Sequence, residues 1–199
     1  MEHVTRRAVL ALSMPAALFA LGGCRTTATS ASGGDMNQAD LEFITQAYNI
    51  ITFDREEASR APSYAQTPAV VEIAAKLLND ANAFAAKLYP IMQARGINPP
   101  TELRSDLRVR LYHLRLNRGL DFDRSFIDDQ IASHQEALGR QEKFMGTPGQ
   151  NPQLLALARE GTEVLRQNLA ALRAIQRQLP PSPAPKGPFG LPPLPGLSY

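Results

Sequence analysis

The chain has one cysteine, Cys24, in 199 residues. That scarcity excludes an intramolecular disulfide, so a folded domain must rest on core packing alone. An excess of charge of either sign is missing too. The 21 Lys and Arg residues face 19 Asp and Glu, without the basic surplus that marks a nucleic-acid partner. No apolar run reaches the roughly 20 residues that a bilayer span takes. The pattern shows no convincing apolar and polar alternation, which argues against strands. There is no Gly-rich phosphate loop and no Glu-x-x-His pair, so nucleotide chemistry and a di-iron carboxylate site both lack their usual motif. No nucleophile constellation emerges either, and the serines fall in caps, tether and tail. The expectation is that the chain is not an enzyme.

What is present begins with the N-terminus. Arg6-Arg7, the hydrophobic stretch Ala8 to Leu21 and the small pair Gly22-Gly23 follow the order of a secretory signal. Leu21-Gly22-Gly23-Cys24 resembles the lipobox of bacterial lipoproteins, in which the cysteine sulfur takes a diacylglycerol and becomes the first residue. Residues 1–23 are therefore expected to be removed as a signal peptide. Acyl chains on Cys24 would hold the chain at the cell envelope, facing the periplasm from the inner or outer membrane. Thr5-Arg6-Arg7-Ala8-Val9-Leu10 also looks like a twin-arginine export signal. Loss of Glu2, Arg6 and Arg7 with the leader leaves 19 basic against 18 acidic residues, a net of +1.

Residues 24–36, rich in Thr, Ala, Ser and Gly, read as a flexible tether. Residues 180–199, dense in proline, read as a disordered tail with polyproline II character. Between them, apolar residues recur every three or four positions, the signature of helices. Helix one is predicted from about Asn37 to Ala61 along Ile44, Ala47, Ile51, Asp54 and Ala58, ended by Pro62. Helix two starts at Pro68 with Thr67 as cap and carries Val71, Ala74, Leu78, Ala81, Ala85, Leu88 and Met92, with a kink expected near Ala86 from Pro90. Helix three runs from near Thr101, breaks near Gly119, and resumes at Asp123 with Phe122 and Ile127 as a hydrophobic staple. Its second piece presents Ile127, Ile131, His134, Leu138 and Met145. Helix four, capped by Asn151, repeats Leu154, Ala158, Gly161, Leu165, Asn168, Leu172, Ile175 and Leu179. The whole, residues 37–179, is an all-α, up-down four-helix bundle with its third helix broken near Gly119.

Three positions on these stripes are polar: Asp54, His134 and Asn168. Buried without partners, each would cost roughly 1 to 3 kcal/mol, so the three are expected to meet one another, water or a ligand. The run Phe122-Asp123-Arg124-Ser125-Phe126-Ile127-Asp128-Asp129-Gln130-Ile131-Ala132-Ser133-His134 is similar to a motif of one bacterial family. That family comprises ferritin-like domains of exported proteins, called domain of unknown function 4142. Asn79-Asp80-Ala81 and Leu165-Arg166-Gln167-Asn168-Leu169 resemble its patterns on the second and last helices, and the likeness spans roughly residues 41–175. It implies a ferritin-like bundle. Yet Ala81 and Asn168 stand where the family usually has histidine, and Asp54 where it usually has glutamate; His134 remains as the imidazole. One histidine with a carboxylate and an amide is a poor transition-metal site, which needs three or four convergent donors. A buried hydrogen-bond cluster, with Asp54 or Asn168 orienting His134, is the favoured expectation, and no cofactor is expected. The alternative is a metal-binding or redox protein using Asp54 and His134, a transition metal at low occupancy, and supplementary donors such as Asp128 or Glu136.

Outside this cluster, Arg104, Arg108, Arg115 and Arg118 fall on a common helical face near His113. Such a face reads first as a solvated surface; the alternative is a site for an anionic glycolipid or an acidic envelope protein. The resulting expectation is a lipid-anchored envelope protein without catalysis, whose partners are the membrane, through Cys24, and an envelope component.

Overall fold

The computed structural model describes residues 36–181. Cys24, the leader, residues 25–35 of the expected tether and residues 182–199 of the expected tail lie outside the described residues. The described part is an all-α helical bundle, with no strand among the described residues. No helix in it is long and apolar enough to cross a membrane. Its elements are α1 (Gln38–Ala58), α2 (Ala61–Tyr64), α3 (Pro68–Gln93), α4 (Ser105–Leu116), α5 (Gly119–Gly146) and α6 (Pro152–Gln178).

The long helices neighbour one another in the cyclic order α1, α3, α6, α5, and α4 lies against α1 and α5. Three apolar clusters fill the interior, the smallest joining Ile50 and Phe53 of α1 to Leu107 and Leu111 of α4 and Ala137 of α5, and the other two running along the long helices. Of these two, one gathers Phe122, Phe126, Leu77, Leu114 and Leu172; the other gathers Phe43, Phe144, Leu88, Leu154 and Ile44, with the Phe43 and Phe144 rings stacked at 4.3 Å. Burying each such side chain contributes about 1.5–3 kcal/mol. Along every long helix, Asp54, Asp80, His134 and Asn168 fall between the residues that feed these two clusters.

Helix boundaries follow local chemistry, with several departures from the sequence pattern. Asn37 opens α1 through a capping box with Asp40, each side chain accepting the other's backbone N–H at 2.9 Å. Pro62 does not end that helix; α1 stops at Ala58 and Pro62 lies in the first turn of α2, where proline lacks only an N–H that has no helical partner. Thr67 precedes α3 as expected, but its side chain makes no cap bond. The cap comes from elsewhere in the chain: Asp123 on α5, fully buried, accepts the N–H groups of Gln66 and Thr67 at 3.0 and 2.9 Å. Because α5 starts at Gly119, Asp123 and Phe122 lie inside it and the predicted staple does not form there. Gly119 takes a positive φ of 61°, a conformation that favours glycine.

The inward stripe of α3 is Val70, Ile73, Ala74, Leu77, Ala85, Leu88 and Met92, so its first half is turned one residue from the Val71 and Leu78 register predicted. The helix continues through Pro90 and ends with Ile97 N–H bonded to Met92 O and Gly96 N–H to Gln93 O, a Schellman pattern around Gly96 at φ 63°. Asn151 caps α6 by accepting the N–H groups of Gln153 and Leu154. The same residue's N–H donates to Asp40 at 2.9 Å, which ties the starts of α1 and α6 together. Met36, assigned to the tether, packs against the cluster that holds Phe43 and Phe144. Pro180 and Pro181, assigned to the tail, offer their carbonyls to Arg124 at 3.1 and 2.9 Å.

Candidate functional site

The polar layer is wider than three residues. Asn49, Asp54 and Glu57 on α1, Gln130, Ser133, His134 and Gln141 on α5, and Thr162 and Asn168 on α6 are all buried. Gln130, Ser133, Glu57 and Gln141 escaped the sequence reading because they lie beside the stripe positions, on a buried face broader than one residue per turn. Glu57 at i+3 from Asp54, Gln130 at i−4 from His134 and Gln141 at i+7 from His134 were the available signal, and Ser133, adjacent to His134, had none.

Two separate hydrogen-bond groups form, and the expected triad does not. In the first, Asp54 Oδ1 accepts from Ser133 Oγ at 2.7 Å and from Gln130 Nε2 at 3.4 Å. Gln130 Nε2 also donates to Glu57 Oε2 at 2.8 Å. His134 is oriented by neither Asp54 nor Asn168: its Nδ1 lies 2.9 Å from Gln130 O, one turn earlier on α5. That contact requires the proton on Nδ1 and makes Nε2 an acceptor in the neutral ring. In the second group, Asn168 Oδ1 accepts from Lys76 Nζ at 2.6 Å and its amide donates to Asp80 Oδ2 at 2.9 Å. Lys76 also pairs with Asp80. Asn168 turns to α3 because the α6 neighbour on that side is α3.

Burial governs the acids. Asp54 has its carboxyl pushed up by desolvation, against the pull of the nearby His134 charge and the Ser133 bond. Glu57 is pushed up further, first by desolvation and then by the neighbouring Asp129 carboxylate. Glu57 Oε1 and Gln130 Oε1, both buried, have no hydrogen-bond partner among the described residues. Two acceptors left over on a pair already joined through their other atoms point to a proton on Glu57, which would satisfy both in a cyclic acid–amide pair.

Asp54, Asp80, His134 and Asn168 line a common cavity of about 130 Å³ between α1, α3, α5 and α6. The donor set does not suit a resident metal. Among the described residues no three His, Cys, Asp or Glu side chains are placed to share an ion. The proposed supplementary donors point elsewhere: Asp128 is exposed and accepts from Gln176 at 2.7 Å, and Glu136 is held by Arg104 and Arg140.

The four arginines do not share a free face. Arg104 precedes α4 and Arg118 precedes α5, so both lie outside the helix whose face they were to form. Arg104 is clamped by Asp106 and Glu136, which raises its already high pKa. Arg108 pairs with Glu102, Arg115 lies 3.9 Å from Glu56, and Arg118 stacks 3.4 Å over the Tyr64 ring. Between its exposed charged residues α4 also presents an apolar stripe outward. Leu107, Leu111 and Leu114 face the interior, whereas Val109, Tyr112 and Leu116, at i, i+3 and i+7, are 54%, 61% and 63% exposed on the opposite side. The second stripe was present in the sequence but was masked by the arginines interleaved with it. His113, next to Tyr112, is exposed.

Comparison with curated proteins and with solved structures gives no match. A family profile described as domain of unknown function (DUF4142) matches residues 25–175, about three quarters of the chain. The helical bundle with its buried polar layer therefore belongs, by sequence, to the DUF4142 family.

Proposed function

We propose that the protein is a lipid-anchored, non-catalytic interaction module of the bacterial cell envelope. Its bundle would be a ferritin-like, up-down arrangement of α1, α3, α5 and α6, with α4 and α5 standing for one long helix broken beside Gly119. The observation that carries the interaction reading is the outward stripe Val109, Tyr112 and Leu116. These are three of the four large apolar side chains exposed among the described residues, and they fall on one helix face. Concentrated apolar surface of this kind marks a partner site more than scattered single residues do. The anchor rests on the lipobox resemblance at Cys24. Export would start with the basic n-region and apolar stretch before it.

The anchor is tested by expressing the full chain in a bacterial host, fractionating the cells, and weighing the N-terminal peptide. A lipid-modified Cys24 in the membrane fraction, with Cys24→Ala released to the periplasm, is the expected result. A chain kept in the cytoplasm with its leader intact would overturn it. The interaction face is tested with a photo-crosslinking residue at position 112 and, as control, at exposed position 143. Discrete adducts from 112 alone are expected, and equal or absent adducts at both positions would overturn the reading.

A further inference from the structure

We propose that the cavity between α1, α3, α5 and α6 binds a small organic ammonium ion. The amine would sit at Asp54 and His134, and the hydrocarbon body between the apolar walls.

The walls are hydrocarbon, supplied by Ile50, Ile51, Leu77, Phe84, Leu157 and Leu165. The polar end offers acceptors. Asp54 and His134 both line the cavity, and their bonds to Ser133, Gln130 and the Gln130 carbonyl use Oδ1 and Nδ1. Among the described residues Asp54 Oδ2 has no protein donor, and neither has His134 Nε2, which accepts when the ring is neutral. Asn168, beside them, has its carbonyl oxygen engaged by Lys76 and its amide by Asp80.

Charge then selects among ligands. The cationic side chains that reach the cavity are already matched: Lys87 pairs with Glu160, and Arg140 with Glu136. An anionic ligand would meet no unpaired Lys or Arg among the described residues of the lining and would face Asp54. A pure hydrocarbon would strip water from Asp54 Oδ2 and His134 Nε2 and return no donor, which is unfavourable for a buried carboxylate. A protonated amine supplies up to three donors and the counter-charge together. Size follows from volume. A cavity of roughly 150 Å³ accepts benzene, so one of about 130 Å³ fits a body of similar size. Lys87 and Glu160, each about half exposed, mark the side on which it opens.

This inference is independent of the lipid anchor. It is tested by calorimetric titration of the full chain, purified in detergent, with benzylamine and with its neutral counterpart benzyl alcohol. Benzylamine is expected to bind at least tenfold more tightly. Asp54→Asn should erase that difference while keeping the fold, because Ser133 and Gln130 can still donate to the amide oxygen. Ala81→Leu, which fills the cavity from α3, should abolish binding of both probes in a chain that remains folded. Equal affinity for the two probes, amine binding indifferent to Asp54→Asn or to Ala81→Leu, or no amine binding by the folded wild type would each overturn the proposal. So would stoichiometric binding of Zn²⁺ that excludes benzylamine. Should Asp54→Asn not fold, Ala81→Leu and the amine-to-alcohol ratio decide between these outcomes.

Discussion

Gln130 donates its amide N–H to Glu57 Oε2 at 2.8 Å, while the remaining Oε1 atom of each residue is buried without a partner among the described residues. A carboxylate cannot satisfy that arrangement, because both leftover atoms accept. A carboxylic acid can. Burial and the nearby Asp129 carboxylate push Glu57 in the same direction.

The pH dependence follows with a definite sign. Unfolded, Glu57 ionises near 4.5; folded, it holds its proton to higher pH. In between, the folded state binds more protons, so stability falls as pH rises from about 4.5 through the folded-state value. Asp54, raised in the same sense, adds to the slope. Glu57→Gln supplies an amide donor to Gln130 Oε1 without a proton to lose. Urea unfolding at a series of pH values from about 5 to 9 should show this variant at least as stable as wild type at neutral pH, with a shallower decline. A variant that is markedly weaker at neutral pH would refute the protonated pair.

Asp123 secures the start of α3 from a distant helix. Asp123→Ala leaves the Gln66 and Thr67 N–H groups without their acceptor, at a cost on the order of 2 kcal/mol. Asp123→Asn, which keeps one acceptor oxygen, should lose less. Chemical denaturation midpoints of the two variants give the comparison.

Gly161 lets α6 approach α3 and α5. A Cβ there would lie 2.6 Å from Phe84 Cε2 and 2.9 Å from Gln141 Nε2. Gln141 is buried and Thr162 donates to it at 2.9 Å, so that neighbour does not retreat freely. Gly161→Ala gains about 1 kcal/mol of helix propensity, but overpacking costs about 1–3 kcal/mol. The net expectation is a loss of about 1 kcal/mol in unfolding free energy, read from urea titration. A stabilised variant would show that the interface yields at this point.

Arg104 joins α1, α4 and α5. Its N–H donates to Asn49 Oδ1 at 2.9 Å and its guanidinium reaches Gln46, Asp106 and Glu136. Arg104→Met should cost about 1 kcal/mol at neutral pH, since the ion pairs are partly solvated. Glu136 is held below its usual range first by the Arg104 hydrogen bond. Its contribution is present above the unfolded value near 4.5 and disappears as pH falls through the folded one. The gap between wild type and variant should therefore narrow on acidification, which thermal melts at neutral and acid pH can measure.

Much of the helix content was legible because it depends on neighbours in sequence. Three-and-four spacing located the long helices; Pro68 and Asn151 with Pro152 marked the starts of α3 and α6. The departures arise where a distant residue intervenes. Thr67 had the right chemistry to cap α3, but Asp123 took the role, because a carboxylate accepts two N–H groups where a hydroxyl serves fewer. Leu77 replaced Leu78 in the core because helix rotation is chosen by the facing helices and not by the helix itself.

The same division holds for the candidate site. Composition and spacing determined by themselves that this chain forms helices, that it has no disulfide to draw on, and that Asp54, His134 and Asn168 lie on otherwise apolar stripes. Those are local or additive properties. Which polar atoms bond, which acid keeps its proton, and which oxygen and nitrogen remain for a ligand were decided only by tertiary structure. They depend on which helices become neighbours: α5 gives Asp54 and Glu57 their partners and α3 gives Asn168 its own, and burial sets the cost of every atom left over.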